Sequence, residues 1–137
     1  MSKMHIDYMG ELRSKATHYS GAELITDAPT DNHGKGESFS PTDLLCTALG
    51  TCMITVMGIT AARLHISYEG SKADVFKYMS IEKPRRVIKV KIKMYMPANL
   101  REAPERGEME KSALECPVAL SIHPDIEQEI EFIYPEG

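Results

Sequence analysis

The segment FSPTDLLCTALGTCMITVMGITAARL, residues 39–64, constrains the fold more than any other part of the chain, because it carries no charge from Leu44 to Ala62. Its start has the residues that favour a helix N-terminus. Ser40 can cap the helix, Pro41 suits the first helical position, and Asp43 lies where a capping-box acid belongs. No proline follows within the segment, so we predict one long helix that begins at this cap.

Length alone would allow this helix to cross a membrane, which takes ~20 apolar residues. Its composition argues against a membrane span, because polar and small residues dilute its uncharged part. They are Thr47, Gly50, Thr51, Thr55, Gly58 and Thr60. An apolar helix in a soluble protein is a buried central helix. We therefore expect a core helix and no membrane association, and a helix of this length could also extend through a dimer interface.

The rest of the chain is dominated by strand patterns. Residues 4–26 read as strands with turn signals at Gly10 and at Ser20-Gly21, and residues 28–37 form a loop rich in Pro, Gly, Asp and Asn. Further strands are predicted at 65–79, 85–97 and 129–136, and a second helical region at 103–122 is interrupted near Pro117. This order predicts a single α+β domain over residues 1–137 with an antiparallel sheet.

One strand shows a regular alternation between Val87 and Met94. Its predicted inner face consists of Ile88, Val90, Ile92 and Met94, and its outer face of Lys89, Lys91 and Lys93. The lysines are better explained as a solvated strand face than as a nucleic-acid stripe. The net charge of −4 supports this interpretation, because phosphate binding depends on clustered Lys and Arg.

Three cysteines are the candidates for chemistry. The N-terminus has no apolar leader, so we expect a reducing cytoplasm, where an odd cysteine count indicates free thiols or redox chemistry. Cys46 and Cys52 are six positions apart, which fits neither a CxxC pair nor a zinc knuckle. Cys116 precedes Pro117, which disfavours the α conformation, so it should lie at a break where its thiol is easier to reach. The residues alone leave an inert and a reactive role open for each cysteine.

Two motifs, SPTDLLCTALGTCM and ECPVALSIHPDIE, resemble the cysteine motifs of the OsmC/Ohr family, the osmotically inducible protein C and organic hydroperoxide resistance proteins. The tracts DAPTDNHGKGESFSPTDLL and EKPRRVIKV look like an OsmC-like branch, so the resemblance covers nearly the whole chain in order. It implies an intertwined homodimer in which curved sheets wrap around long central helices. It also implies reduction of organic hydroperoxides in oxidative-stress defence, without a bound cofactor or metal, and an external dithiol reductant of the lipoyl type.

By position in these motifs, Cys52 matches the peroxidatic cysteine and Cys116 the resolving cysteine, whereas Cys46 matches no catalytic position. The thiolate would attack the peroxide, and the resulting sulfenic acid would condense with Cys116 to a disulfide. Apolar neighbours of Cys52 would suit an alkyl peroxide unless they belong to the core. These neighbours are Met53, Ile54, Val56 and Met57.

The resemblance also implies an Arg from the N-terminal strands that polarises the thiolate. Arg13 is the candidate, because it is the only Arg before residue 63. Cys52 would lie about three turns inside the helix, too far from its positive end to be stabilised by the dipole, so a permanent cation is expected nearby. Arg85 and Arg86 are the alternatives to Arg13.

Family members often hold this Arg with a Glu ten residues before the first cysteine, and here that position is Thr42. The adjacent Asp43 is the candidate replacement, although its carboxylate could serve the helix cap instead. The departure at Thr42 leaves a non-catalytic thiol-binding or redox-sensing protein as the alternative function.

A second alternative is a metal site that combines Cys52, Cys116 and a histidine. The chain has no short-range ligand pair such as HxxxH or CxxC, so this arrangement is disfavoured. The histidines that could contribute are His5, His18, His33, His65 and His123.

Overall fold

The structure, a computed structural model, describes residues 2–136. Its elements in chain order are β1 (Met4–Gly10), β2 (Arg13–His18), β3 (Glu23–Asp27), α1 (Pro41–Arg63), β4 (Lys72–Met79), β5 (Val87–Tyr95), α2 (Arg106–Leu114), α3 (Pro117–Ser121) and β6 (Glu127–Ile133). The predicted α+β class is confirmed. The chain groups into two compact units, Met1–Leu45 and Cys46–Gly137, and α1 runs across the division. The assignment of one domain over residues 1–137 stays a prediction.

In the first unit, β1, β2 and β3 form an antiparallel sheet in that order. Gly10 pairs with Arg13, so Glu11 and Leu12 form a two-residue turn between β1 and β2. Both turn residues have positive φ, 54° and 63°. Hairpins favour this geometry because it matches the strand twist, but it is normally occupied by Asn or Gly. This turn therefore carries backbone strain directly before Arg13.

The N-terminus of α1 confirms the predicted capping box. The backbone N–H of Asp43 donates to the Ser40 hydroxyl at 3.0 Å, and the backbone N–H of Ser40 donates to Asp43 Oδ2 at 2.9 Å. Two backbone donors are thus satisfied reciprocally where the helix begins.

In the second unit the sheet order is β4-β5-β6. The β4–β5 pair is antiparallel, as predicted, whereas β5 and β6 are parallel, so the sheet of the second unit is mixed. Parallel neighbours require a crossover connection. The chain between β5 and β6 forms this crossover through α2 and α3. The sequence pattern predicted these segments to be helical, but it did not indicate that β6 would run parallel to β5.

The inner face of β5 differs from the predicted alternation at one end. A bulge opposite Tyr78 and Met79 shifts the register, so that Val87 is buried and Ile88 is 39% exposed. Val90, Ile92 and Met94 point into the core as predicted. The predicted inward position of Ile88 is therefore wrong, because the bulge places two consecutive residues on the same step of the ladder.

The strand predicted at 65–79 begins only at Lys72. His65 and Gly70 have positive φ values, 58° and 88°, which interrupt an extended chain. Residues 65–71 instead form the turn that connects α1 to β4.

The three lysines of β5, Lys89, Lys91 and Lys93, lie beside the glutamates of β6 on the outer face of the sheet in the second unit. Lys89 forms ion pairs with Glu127 and Glu129, and Lys91 pairs with Glu129. The acidic column of β6 therefore neutralises much of the basic column of β5. This arrangement supports a solvated face rather than a phosphate-binding stripe.

Within the second unit, α1 supplies the centre of the core. Its buried side chains are Cys46, Leu49, Met53, Met57 and Ala61, each no more than 1% exposed. By length and composition α1 would also be able to cross a membrane, a test that core helices of soluble proteins pass as well. Gly50 packs so closely on β4 that an added Cβ would lie 2.7 Å from Val75 Cγ2.

Candidate active site

Cys52 lies in the middle of α1 and is partly exposed. Its neighbours on the helix, Leu49 and Met53, face the core and are completely buried. Cys46 is 1% exposed and belongs to the same core cluster. The helix therefore presents one of its two thiols at the surface and packs the other inside.

Cys116 lies at the break between α2 and α3, as Pro117 predicted. Its backbone is extended (φ −66°, ψ 153°), and its Sγ accepts a hydrogen bond from the N–H of Ala119 at 3.4 Å. The expectation that this break makes the thiol easier to reach is wrong, because Cys116 is 0% exposed. Proline fixes the extended backbone, but the side chain turns into the core cluster formed with α1.

The structure brings the Cys52 and Cys116 thiols together, although they are 64 positions apart in sequence (116 − 52). Burial raises the pKa of the Cys116 thiol, and a side-chain hydrogen bond with Cys52 raises it further. Both cysteines are free thiols. A partly open thiol beside a buried, protonated one can form a disulfide without a large chain movement.

Arg13 is held by two carboxylates of the first unit. Its Nη2 donates to Asp27 Oδ2 at 3.0 Å and to Glu37 Oε1 at 2.9 Å. The Glu37 backbone N–H also donates to Asp27 Oδ2 at 3.0 Å. This backbone bond, followed by the bond from Arg13, lowers the pKa of Asp27, so the carboxylate stays charged next to the guanidinium.

Sequence reasoning missed Asp27 and Glu37. A signal for Asp27 was present, because a β2–β3 hairpin turning near Ser20-Gly21 places Arg13 directly opposite Asp27, as the register shows. Glu37 carried no such signal. It reaches Arg13 only through the path of the 28–37 loop.

The other predicted residues have local roles. Asp43 uses its carboxylate in the helix cap, and the Thr42 hydroxyl lies 3.2 Å from that of Ser40. Arg85 lies exposed in the β4–β5 turn, and the backbone N–H of Arg86 donates to the Ser80 hydroxyl at 3.0 Å. A catalytic role for Asp43 stays a prediction.

Within residues 2–136, no group of three or more His, Cys, Asp or Glu side chains is arranged to hold a metal ion. Three histidines make local contacts instead. His5 contacts Asp7, the ring of His18 contacts Ser20, and His123 accepts from the backbone of Asp125.

Comparison with models of sequence families shows which protein family this chain belongs to. The family described as OsmC-like protein matches residues 34–131, which include α1 and both cysteines of the thiol pair. The chain belongs to the OsmC-like family. None of the curated proteins searched matches the sequence.

Solved structures show the same fold for this OsmC-like protein. A candidate osmotic stress induced and detoxification response protein from Psychrobacter arcticus is 45% identical, with a TM-score of 0.89, over 97% of this chain and 96% of that one. The organic hydroperoxide resistance protein OsmC from Legionella pneumophila is 15% identical, with a TM-score of 0.72, over 96% of both chains. An organic hydroperoxide resistance protein from Elizabethkingia anophelis is 13% identical, with a TM-score of 0.76, over 98% of this chain and 96% of that one.

Proposed function

We propose that this OsmC-like protein is a thiol-dependent peroxidase that reduces organic hydroperoxides to alcohols in oxidative-stress defence. Membership of the OsmC-like family supports a redox stress role. Two structural relatives are named for organic hydroperoxide resistance, which suggests the substrate class. The observation that carries the proposal is the contact between the partly exposed thiol of Cys52 and the buried thiol of Cys116.

In the first step, the Cys52 thiolate attacks the outer oxygen of the hydroperoxide. The O–O bond breaks, sulfur is oxidised to the sulfenic acid, and the alkoxide leaves and takes a proton to become the alcohol. Cys52 suits this role because it is the more open of the paired thiols.

In the second step, the Cys116 sulfur displaces hydroxide from the sulfenic acid. The thiol proton leaves with it as water, and a disulfide forms. The burial and raised pKa of Cys116 suit a resolving thiol, because it remains protonated and shielded until Cys52 has been oxidised. An external dithiol of the lipoyl type then returns both sulfurs to thiols by exchange, and no bound cofactor takes part.

Arg13 is the proposed cation that stabilises the Cys52 thiolate. A guanidinium is permanently charged, which the thiolate needs because it lies too far along α1 to be stabilised by the helix dipole. The two carboxylates around Arg13 support this role by holding the group in one orientation.

The apolar residues near Cys52 do not all contribute to a substrate site. Met53 and Met57 are completely buried and belong to the core, whereas Ile54 and Val56 are only partly buried. An alkyl substrate at Cys52 would therefore contact Val56, which lies one turn further along the same side of α1, and not Ile54, which is two residues away and points to another side.

We also propose that the protein works as a homodimer in the cytoplasm. In the first unit, β1 carries the exposed side chains of Met4, Ile6 and Tyr8, which are 61%, 67% and 68% exposed, and in the second unit α1 leaves Ile59 64% exposed. Apolar surface of this extent is typical of an association site. A second copy of the chain is the proposed occupant, since the resemblance implies an intertwined pair.

A non-catalytic redox sensor or thiol-binding protein is the second candidate, favoured by Thr42 at the position where family members often carry Glu. A redox sensor would form the Cys52–Cys116 disulfide as the peroxidase does, whereas a thiol-binding protein would keep both thiols. A catalyst consumes many equivalents of alkyl hydroperoxide when a dithiol is supplied, whereas a sensor consumes about one per chain.

The mechanism is tested with Cys116→Ser. One equivalent of alkyl hydroperoxide should leave a sulfenic acid on Cys52 that a dimedone-type reagent traps, and steady turnover should stop. In the unsubstituted protein, the same treatment should yield the Cys52–Cys116 disulfide by mass spectrometry. A disulfide that involves Cys46 instead, or no disulfide at all, would contradict the assignment.

A further inference from the structure

We propose that Gln128 on β6 is a positioning residue for the resolving thiol, because its side chain holds α3 at Ala119 and Ala119 in turn contacts the sulfur of Cys116. The inference rests on the proposed function, in which Cys116 attacks the oxidised sulfur of Cys52. It assigns to Gln128 an effect on the rate at which the disulfide closes, and none on the first attack on the peroxide. All of these residues lie in the second unit.

Gln128 occupies a position of β6 where the strand pattern favours an apolar side chain. The positions Gln128, Ile130 and Phe132 alternate with glutamates. Ile130 and Phe132 pack against the core cluster, and side chains two positions apart lie on the same face of a strand. Gln128 therefore faces the same side and is half-buried. An amide in such a place needs a hydrogen-bond partner.

The partner of Gln128 is the backbone of α3. Gln128 Nε2 donates to the carbonyl oxygen of Ala119 at 3.0 Å. α3 spans only Pro117–Ser121, and a helix leaves its last carbonyls without donors of its own. A helix as short as this one is unstable without outside contacts. Gln128 supplies a donor that α3 lacks, and it ties this helix to the sheet.

Ala119 is also the residue that contacts the resolving sulfur. Its backbone N–H donates to Cys116 Sγ at 3.4 Å, so that Cys116 is the N-cap of α3. Ala119 is therefore held through both of its backbone groups, the N–H by the sulfur and the carbonyl by Gln128. Without the bond from Gln128, the first turn of α3 would be freer to move relative to the sulfur.

The N–H groups of α3 act on the ionisation of Cys116. Burial raises the pKa of this thiol most strongly, and the neighbouring Cys52 raises it further, whereas the backbone N–H groups of Ala119 and Val118 lower it. A thiol attacks as the thiolate. In the resolving step the sulfur–oxygen bond of the sulfenic acid breaks, the sulfur–sulfur bond forms, and hydroxide leaves with the thiol proton as water. N–H groups held close to Cys116 Sγ favour the attacking form and should speed this step.

The test compares Gln128→Met with Asn99→Leu as the matched control. Methionine is an unbranched side chain of similar length to glutamine, but it has no amide donor. Asn99 Nδ2 donates to the carbonyl oxygen of Ser67, also at 3.0 Å. Its substitution therefore removes the same type of hydrogen bond from segments that carry neither thiol of the pair.

Resolution is measured without peroxide by means of an aromatic disulfide that releases a coloured thiolate. Exchange with Cys52 releases the first thiolate and leaves a mixed disulfide, and attack by Cys116 breaks that bond and releases the second. Two further measurements are the lifetime of the Cys52 sulfenic acid after one equivalent of alkyl hydroperoxide, from dimedone trapping, and the hydrogen exchange of the Ala119 amide by NMR.

We expect Gln128→Met to slow the release of the second thiolate by about fivefold and to prolong the sulfenic acid by a similar factor, as the loss of one hydrogen bond predicts. The first release should change by less than about twofold. The second release should recover in part at higher pH, where Cys116 ionises more readily, and the Ala119 amide should exchange faster. Asn99→Leu should keep every value within about twofold.

The outcomes separate this inference from the proposed function. If a folded Gln128→Met variant keeps its second release, its pH profile and its Ala119 exchange, or slows both releases equally, the positioning role is overturned and the peroxidase stands. If only the second release slows but peroxide leaves the unsubstituted protein unoxidised, the positioning role stands and the peroxidase fails. If Gln128→Met does not fold, Gln128→Glu keeps the side-chain size, loses the donor on ionisation and is judged by the same outcomes.

Discussion

The buried thiol of Cys116 lies against the partly exposed thiol of Cys52, and this contact joins the break between α2 and α3 to the middle of α1. Pro117 holds the Cys116 backbone extended, and packing against the core turns the Cys116 side chain away from solvent. The two sulfurs thus differ in accessibility although they are neighbours. This difference in accessibility suits the proposed roles of Cys52 as the attacking thiol and Cys116 as the resolving thiol.

The first prediction concerns the order in which the thiols react. With limiting iodoacetamide at about pH 7, Cys52 should be alkylated first in the native protein, because Cys116 is buried and its raised pKa keeps it protonated. Peptide mass spectrometry would measure the modified fractions. All three cysteines should react at similar rates in denaturant, and preferential native alkylation of Cys116 would contradict the assignment.

The second prediction tests the packing of α1 on β4. Gly50→Ala should reduce the free energy of unfolding by ~1–3 kcal/mol, because its Cβ would lie 2.7 Å from Val75 Cγ2. Gly107→Ala is the matched control in α2, where a Cβ meets nothing within 4 Å. It should be neutral or stabilising by up to ~1 kcal/mol. Urea denaturation would measure both, and an equally stable Gly50→Ala would show that this contact is not close.

The third prediction concerns acid. The pKa of Asp27 is lowered below its usual 3.8, first by the Glu37 backbone N–H and then by Arg13. Its contribution to stability is therefore complete above that usual value and is lost as pH falls through the lower folded value. Thermal unfolding from about pH 6 to pH 2 should show a smaller acid-induced loss in Asp27→Asn than in the unsubstituted protein. Parallel curves would contradict the strong pairing of Asp27.

The fourth prediction concerns self-association. Ile59→Glu should convert the proposed dimer to monomer, because it places a charge in the apolar face of α1. Ile81→Glu is the matched control, since Ile81 lies fully exposed in the β4–β5 turn and should leave the dimer intact. Analytical ultracentrifugation distinguishes the two masses. If the unsubstituted protein is a monomer, the proposed dimer is wrong and the exposed apolar side chains do not mediate self-association.

The sequence was sufficient for elements with strong local signals. The capping box at Ser40 and Asp43 fixed the start of α1, and Pro117 fixed the break at Cys116, because both act through neighbouring backbone groups. The parallel pairing of β6 and the inward turn of Val87 depend on a crossover and a bulge, which alternation alone does not indicate.

The candidate site also contains features that the sequence predicts and features that depend on tertiary packing. The thiol pair could be predicted from its two motifs, but the burial of Cys116 depends on packing against α1, which only the structure shows. The partners of Arg13 were missed for different reasons. Asp27 required a hairpin register, and Glu37 required the path of a ten-residue loop, 28–37.

The central claim is that Cys52 is the nucleophile of a peroxidase. The most direct measurement is steady-state consumption of an alkyl hydroperoxide with dihydrolipoamide, comparing the unsubstituted protein, Cys52→Ser and Cys46→Ala as the control for losing a thiol from the same helix. We predict repeated turnover in the unsubstituted protein and in Cys46→Ala, and none above background in Cys52→Ser. Undiminished consumption by Cys52→Ser would contradict the account.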